Sequence, residues 1–205
     1  LLPKQMARDP DLFFQIFCYA FPKKNAELIK ELRKHLSEEQ IGKKLMTFYW
    51  LFHNWKEIPG LDKETGEVDY DFLLDWIRQS RELAIKKDMM DIMDSQLGKL
   101  LARFPEDETQ INWPPDGICQ IVEKYNSEDL LLGFSVGISN KRSFTIRSAG
   151  SGGNIERQRG EYFKKLAARH RNKFPSVAKI FSKESDDYFR KAKREDMDSE
   201  KESLE

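Results

Sequence analysis

The stretch from Ser143 to Lys165, SFTIRSAGSGGNIERQRGEYFKK, contains the residue types and order that most closely match a reactive site in this chain. It reads as a short strand near 143–147, a glycine-rich turn and the start of a basic helix. A serine on such a turn suits a nucleophile elbow, which also needs a sheet beneath the turn and a histidine base late in the chain. The only downstream histidine, His170, lies on the helix that the turn begins. The sequence therefore predicts no serine hydrolase.

The same turn has some features of a phosphate-binding loop. It lacks the Gly-Lys-Ser/Thr ending that places a lysine and a metal-binding hydroxyl on a nucleotide. A glycine-rich backbone at a helix N-terminus can still hold an anion through its free amide donors. The sequence therefore favours a flexible surface turn, with an anion-binding loop formed by Ser151, Gly152, Gly153 and Asn154 as the alternative.

Charge around this turn is more informative than the turn itself. Between Lys141 and Lys173 the many basic residues are opposed only by Glu156 and Glu161. The whole chain is neutral, with 35 Lys and Arg against 35 Asp and Glu, so the segment predicts one basic pole that is compensated elsewhere. The binding residues predicted in this pole are Arg142, Arg147, Arg157, Arg159, Lys164, Lys165, Arg169 and Arg171. Such a pole can contact an acidic partner, nucleic-acid phosphates or the chain's own acidic tail, or it can simply be solvated.

An acidic loop from Asp62 to Asp69 invites a calcium-binding interpretation. A helix–loop–helix calcium site needs Gly at its sixth position and Glu at its twelfth. Counting from Asp62, Gly66 is fifth and Leu73 is twelfth, so the pattern does not fit. We predict instead a tight turn in which Asp69 or Asp71 caps the following helix.

The histidines and cysteines predict no metal site, no cofactor and no catalytic residues. None of the three histidines has cysteine or carboxylate neighbours at metal-ligand spacing. His53 lies among aromatic residues and is expected at the edge of a core. Cys18 is expected to be buried and inert, and with Cys119 as the only other cysteine a disulfide framework is excluded.

An enzyme would require a pocket that joins residues distant in sequence. His53 with Asp69, or Arg142 with Glu156, are the pairs that such a pocket would bring together. The sequence leaves that alternative open.

The elements that position these residues are predicted to be helices. A first helix, DLFFQIFCYAF, is apolar all round, so it lies at the centre of the domain or packs against a neighbour outside the chain. The fold class is all-α: an irregular bundle of about eight helices, or a solenoid-like stack, with at most one short strand or hairpin near 143–147. We expect a single domain at 9–195, with halves 9–105 and 113–195 as the alternative, and a charged, disordered tail at 196–205.

Bulk properties point to a cytoplasmic protein that does not contact membranes. No run approaches the roughly 18 apolar residues that a membrane span requires, and the N-terminus has no signal-peptide pattern. The chain does not begin with Met, so we expect it to be a piece of a longer protein.

Several local patterns occur together over most of residues 9–195. They include WLFHNWKEIPG, NWPPDG, SEDLLLGFSVGISNKRSF, the GGNIER loop and Phe174-Pro175. In this combination the chain resembles the C-terminal helical region of large, uncharacterised multidomain bacterial proteins. The resemblance implies an intracellular bacterial protein whose activity, if any, lies in other segments. It implies no active-site residues.

The sequence thus predicts a non-enzymatic interaction or scaffold module. Its basic pole would recognise an acidic protein partner, and exposed aromatic residues near Phe13 or Trp50 would contact a neighbouring domain. A nucleic-acid-binding domain that uses the basic segment 141–173 is the alternative.

Overall fold

The fold is all-α, as predicted. A computed structural model describes residues 1–22, 26–105, 113–141 and 153–202, and the structural statements below concern these residues. Within them there are ten helices rather than about eight, and no strand beyond one isolated bridge between Leu61 and Val68. The predicted strand near 143–147 lies outside the described residues. The helices are α1 (Leu2–Met6), α2 (Pro10–Ala20), α3 (Ala26–Arg33), α4 (Glu38–His53), α5 (Tyr70–Lys86), α6 (Met90–Leu101), α7 (Asp116–Tyr125), α8 (Glu128–Asn140), α9 (Asn154–His170) and α10 (Pro175–Glu202).

The chain divides into two compact units, Leu1–Asp94 and Ser95–Glu205. The division falls within α6, whereas the sequence placed its alternative boundary in the loop between residues 105 and 113. Each unit is described by itself below.

Helix α2 lies at the centre of the first unit. Its N-terminus is capped by Asp9, whose Oδ1 accepts hydrogen bonds from the amides of Asp11 and Leu12 at 2.9 and 3.1 Å. Phe13 is 1% exposed, and its ring centroid lies 4.6 Å from that of Trp76 and 5.1 Å from that of Trp55. The prediction that the surface near Phe13 is exposed is therefore wrong. The all-apolar helix is covered on nearly every side by aromatic residues of its own unit.

Helix α4 has one inward and one outward face. Ser37 with Gln40 three residues later predicts a capping box, and the structure confirms it: Ser37 Oγ accepts from the Gln40 amide and Gln40 Oε1 accepts from the Ser37 amide. Phe52 is buried, whereas Trp50 is 56% exposed, as the sequence predicted for that surface. His53 is exposed and stacks on Tyr49 with ring centroids 5.0 Å apart, so its predicted place at a core edge is wrong.

The acidic loop is a tight turn that ends in a helix cap. Asp62 Oδ1 accepts hydrogen bonds from the amides of Glu64 and Thr65. Asp69 Oδ1 accepts from the Phe72 amide at 2.9 Å, which confirms Asp69 as the cap of α5. The carboxylates of Asp62 and Asp69 thus accept hydrogen bonds from nearby backbone amides of the same loop and helix start.

In the second unit, glycines allow α6 and α8 to approach closely. A Cβ added at Gly98 would lie 2.2 Å from the Leu130 carbonyl oxygen, and one added at Gly133 would lie 2.0 Å from that of Ser95. Real side-chain carbons do not fit at these distances. The two helices therefore pack backbone against backbone.

Helices α9 and α10 form an antiparallel hairpin in the same unit. Phe163 of α9 stacks on Phe181 and on Tyr188 of α10, with centroids 5.9 and 5.6 Å apart. Glu123 Oε1 caps α10 by accepting from the amides of Ser176 and Val177 at 2.7 and 3.0 Å. The α9–α10 contact is thus built from aromatic layers, and a carboxylate of α7 caps the start of α10.

Residues 196–202, which the sequence assigned to a disordered tail, continue α10 as helix. This end of the helix is packed against the start of α9. Ala192 is buried, and the Asp196 carboxylate accepts a hydrogen bond from the Gly153 amide. The remaining predicted tail residues, 203–205, lie outside the described part of the chain. No helix within the described ranges is long and apolar enough to cross a membrane.

Candidate interaction surface

The N-terminal end of α9 holds an anion that belongs to the chain itself. The Gly153 amide donates to Asp196 Oδ1 at 2.8 Å, and Arg157 Nη2 donates to the same oxygen at 3.1 Å. Arg157 Nη1 contacts the other carboxylate oxygen, and Asn154 Oδ1 accepts from Arg157 Nη2 at 3.0 Å. A helix N-terminus with free amide donors favours a carboxylate. We call this arrangement of Gly153, Asn154, Arg157 and Asp196 the α9 clasp.

The clasp stabilises the ionised form of Asp196. The hydrogen bond from Arg157, followed by the bond from the Gly153 amide, holds the pKa of that carboxyl below its usual value. Of the possible anion loop, the Gly153 amide is thus engaged by the chain's own Asp196 carboxylate and the Asn154 side chain by Arg157, while Ser151 and Gly152 lie outside the described residues.

The packing of α9 on α10 leaves no room for a side chain at Gly153. A Cβ at this position would lie 2.2 Å from the Ala192 carbonyl oxygen and 2.6 Å from the Ala192 Cα. Because these are backbone atoms of α10, they cannot move aside as the end of a flexible side chain would. The glycine lets the start of α9 lie directly on α10.

The C-terminal end of α9 presents cations to solvent. Lys164, Lys165, Arg169 and Arg171 are all exposed, and we call these four residues the α9 cation patch. Lys164 lies 3.6 Å from the Glu161 carboxylate in an ion pair that is open to water. Lys165, Arg169 and Arg171 form no ion pair with the described part of the chain. The patch therefore carries three positive charges outside any ion pair, and of these Arg169 attracts the Asp116 carboxylate from a distance and helps to lower its pKa.

Helical spacing arranges the patch in two rows. Lys165 and Arg169 are four residues apart and lie on one side of α9, whereas Lys164 and Arg171 are seven apart and lie on the other. The small exposed residue Ala168 lies between the rows. The opposite face of the helix is fixed in the hairpin by Phe163 and Leu166, both buried. Two rows of cations flanking a small residue form a shallow site for an extended acidic chain.

The other basic residues of the pole that the structure describes do not join this patch. Arg159 is half-buried, and Lys173 forms an ion pair with Asp116 at 2.5 Å. The Lys141 ammonium donates to the Phe104 carbonyl oxygen and lies 4.3 Å from the centre of the Trp113 ring. Arg142 and Arg147 lie outside the described residues. Within the described part of the predicted pole, the exposed cations that form no ion pair thus lie at the C-terminal end of α9.

A buried cysteine–histidine contact lies beneath the same helix. Cys119 Sγ is 4.0 Å from His170 Nδ1, and both residues are at most 2% exposed. His170 Nε2 lies 3.2 Å from the Trp113 carbonyl oxygen. Because a carbonyl oxygen only accepts, Nε2 carries the proton and Nδ1 is an acceptor. The Cys119 thiol has a second acceptor in the Pro114 carbonyl oxygen, 3.6 Å from Sγ.

This pair has the electrostatics of a structural contact. Burial raises the pKa of the Cys119 thiol to about 12, and burial lowers the pKa of His170. A nucleophilic cysteine needs the reverse, a thiolate stabilised by a charged histidine. Cys18 is buried as predicted, and neither cysteine forms a disulfide.

The first unit contains an open cleft of about 750 Å³. Its wall combines cations and carboxylates, and one pair of these, Lys63 and Glu57, already forms an ion pair at 2.8 Å. The lining residues that carry charge are Lys4, Arg8, Glu57, Asp62, Lys63 and Glu64. This mixed lining favours no single sign of ligand.

Of the two residue pairs suggested for an enzyme, the structure describes only His53 with Asp69, and it does not bring them together. His53 stacks on Tyr49, whereas Asp69 caps α5, and the two form no hydrogen bond or ion pair. Glu156 is buried, and its suggested partner Arg142 lies outside the described residues. No group of three or more His, Cys, Asp and Glu in the described ranges is placed to hold a metal ion.

Two features of this surface were missed from sequence. The clasp joins residues 43 positions apart, Gly153 and Asp196, and no local pattern signals that distance. The contact between Cys119 and His170 likewise needs the fold of α7 against α9. The exposed side of α9 was not missed, because the apolar residues Phe163 and Leu166 predict which side is buried, and the structure confirms that the opposite side is exposed. The exposed residues are Lys164, Lys165, Arg169 and Arg171.

Comparison with protein-family models, with curated protein sequences and with solved structures found no match to this chain.

Proposed function

We propose that this chain is a non-enzymatic helical interaction module that recognises an acidic protein segment through the α9 cation patch. In keeping with the sequence resemblance, it would form the C-terminal part of a larger intracellular bacterial protein. One observation carries the proposal: Lys165, Arg169 and Arg171 are exposed and have no ion-pair partner in the described residues, while the other side of the helix is fixed by packing.

Solvation of charged side chains is the plainest alternative, and the distribution of acidic residues argues against it. The basic residues on either side of the patch form ion pairs: Arg157 with Asp196, and Lys173 with Asp116. Helix α10 starts beside the C-terminal end of α9, and its first acidic residue is Glu184. A local excess of one sign raises the local concentration of ligands of the other sign.

An acidic protein segment suits the patch better than a nucleic acid. Lys164 and Arg171, the ends of the patch, are seven positions apart, which is roughly 10 Å of helix at 1.5 Å per residue. The patch contains no aromatic residue on which a base could stack. The neutral chain also lacks the net positive charge that draws a protein to phosphate backbones. A short, purely cationic site matches a few carboxylates.

Fluorescence anisotropy with two labelled probes tests the proposal. The probes are a twenty-residue poly-glutamate peptide and a twenty-nucleotide poly-dT strand, each titrated with protein from low to physiological salt. The triple variant Lys165→Gln, Arg169→Gln, Arg171→Gln removes the unpaired charges. A matched variant, Lys30→Gln, Lys34→Gln, Lys86→Gln, makes the same change in net charge at exposed positions elsewhere.

We expect peptide binding that weakens about tenfold or more in the patch variant and much less in the matched variant. Tighter binding of poly-dT than of the peptide, lost in the same patch variant, would assign the patch to nucleic acid instead. Equal weakening in both triple variants would show that net charge alone governs binding, and the patch would have no specific role.

A further inference from the structure

The outward face of α4 is apolar at its centre. Met46 and Trp50 are each 56% exposed and Tyr49 is 38% exposed. These residues and His53 follow the spacing i, i+3, i+4, i+7, which places them on one side of the helix. Ile41 and Phe52, on the other side, are buried. Contiguous exposed apolar residues of this kind mark an interaction site.

The glycine on this face has no explanation within the fold. Gly42 lies inside α4, is exposed, and a Cβ added there would meet nothing within 4 Å. Glycine destabilises a helix relative to alanine because its unfolded backbone is more flexible. A glycine retained where alanine would fit suggests that a bulky group from outside the chain needs the space.

The face is self-complementary about Met46. Glu39 lies seven residues before Met46 and His53 seven after it. Gly42 and Lys43 precede it by four and three residues, and Tyr49 and Trp50 follow it by three and four. We call this set the α4 stripe: Glu39, Gly42, Lys43, Met46, Tyr49, Trp50 and His53.

A two-fold axis beside Met46, perpendicular to the helix, would set two copies of α4 antiparallel. A residue before Met46 then lies at the same height as the residue equally far after Met46 in the second copy. The axis also keeps each residue on the same side of the stripe. At 100° per residue Gly42 and Tyr49 share one side, and Lys43 and Trp50 share the other. Gly42 therefore faces Tyr49 of the second copy and Lys43 faces Trp50, each within about 1.5 Å in height, so that a missing side chain lies opposite a ring and a cation lies opposite an indole. Glu39 faces His53 of the second copy. Complementary size and charge thus occur at every level of the stripe.

We propose that the α4 stripe is a homodimer interface in which two copies of this chain pair antiparallel through α4. In the single chain, Lys43 forms an ion pair with Glu39 at 2.7 Å. In the dimer both groups exchange partners: Lys43 moves over the Trp50 ring of the second copy, and Glu39 accepts a hydrogen bond from an imidazole N–H of His53. Lys over Trp is a favourable cation–π arrangement. The proposal is independent of the α9 cation patch.

Site-directed cross-linking tests the geometry. Met46→Cys places a thiol next to the two-fold axis, so mild oxidation of this variant is expected to give a covalent dimer. Thr47→Cys is the matched control, because Thr47 is exposed but lies about 100° further round the helix. The native cysteines are both buried and do not compete. Equal cross-linking of the two variants would indicate random collision and overturn the proposal.

A second cross-linking experiment tests the direction of pairing. In the antiparallel dimer, the two introduced cysteines of a Gly42→Cys dimer are roughly 12 Å apart along the helix axis. Each of them lies opposite residue 49 of the other chain. A mixture of the Gly42→Cys and Tyr49→Cys variants is therefore expected to give the mixed covalent dimer. Gly42→Cys alone is expected to remain monomeric. Efficient cross-linking of Gly42→Cys with itself would mean a parallel pairing and would overturn the proposal.

Sedimentation velocity of the unmodified chain provides the equilibrium test. Because two short helices form a small interface, association is measured from about 1 to 300 µM. We expect a monomer–dimer equilibrium, and Trp50→Ala to weaken it about thirtyfold, as for a residue that dominates an interface. A monomer at every concentration, or unchanged association of Trp50→Ala, would overturn the proposal.

Discussion

The two ends of α9 carry the same kind of side chain in different circumstances. At the N-terminal end, Arg157 is held in an ion pair with Asp196. At the C-terminal end, Lys165 and Arg169 have no such partner in the described chain. The difference follows from α10, which supplies a carboxylate late in its length but carries Lys179 and Lys183 in its early turns.

This comparison separates charge that supports the fold from charge that is available to a ligand. The clasp is part of the α9–α10 contact, so changes there should alter stability. The α9 cation patch is outside that contact, so changes there should alter binding and leave stability nearly unchanged. The following experiments test that separation, beginning with the largest expected effect.

Gly153→Ala should cause the largest loss of stability. The added Cβ would lie 2.2 Å from the Ala192 carbonyl oxygen, and forcing extra carbon into a packed contact costs about 1–3 kcal/mol. We expect the free energy of unfolding to fall by about 3 kcal/mol in urea denaturation. Gly42→Ala is the control: because its Cβ meets nothing within 4 Å, it should raise stability by about 0.5–1 kcal/mol. Similar effects of the two substitutions would contradict the close approach of Gly153 to the Ala192 backbone.

Asp196→Ala should lower the melting temperature by less than Gly153→Ala does. It removes the acceptor for the Gly153 amide and the partner of Arg157. Asp186→Ala is the control, since Asp186 is exposed on the same helix and makes no hydrogen bond or ion pair with the described residues.

The effect of Asp196 also has a defined pH dependence. Its pKa is lowered in the folded chain, so its contribution is present above the ordinary value of 3.8 and is lost as pH falls through and below that value. We expect the difference in melting temperature between wild type and Asp196→Ala to shrink in that acidic range. A difference that is the same at neutral and strongly acidic pH would contradict the clasp.

His170 gives a second pH signature, centred on the buried side of α9. Burial lowers the His170 pKa, so the unfolded chain takes up a proton below its ordinary value of 6.5 before the folded chain does. The neutral form therefore stabilises the fold above that pH, and this contribution is lost as pH falls below it. We expect wild type to lose more stability than His170→Gln between pH 7.5 and 5. Parallel stability curves for the two proteins would contradict this assignment.

The patch substitutions should have the smallest effect on stability. Replacement of Lys165, Arg169 and Arg171 by glutamine removes exposed groups that make no ion pair, so the free energy of unfolding should change by less than about 1 kcal/mol at physiological salt. Urea denaturation of the triple variant measures this change. A larger loss would place these cations among the groups that hold the fold.

The sequence predicted features that depend on local chemistry. The capping box at Ser37, the cap at Asp69 and the central position of α2 follow from residue types and spacing within one or two turns. Features that join distant segments were not predicted. One example is the contact between Gly153 and Asp196. Asp196 is the first residue of the expected disordered tail, but α10 continues as helix to Glu202. The exposure of His53 depends on which side of α4 faces the core, and an aromatic-rich neighbourhood does not specify that side.

The central claim is that the α9 cation patch is the binding surface. It is most directly tested by measuring how tightly two variants of the protein bind the poly-glutamate peptide at one salt concentration. The account predicts that the triple variant at Lys165, Arg169 and Arg171 binds about tenfold or more weakly, while its melting temperature is nearly unchanged. It predicts that Asp196→Ala, whose stability is lower, retains the affinity of wild type or exceeds it because Arg157 is released. If instead the triple variant bound as tightly as wild type, the α9 cation patch would not be the binding surface.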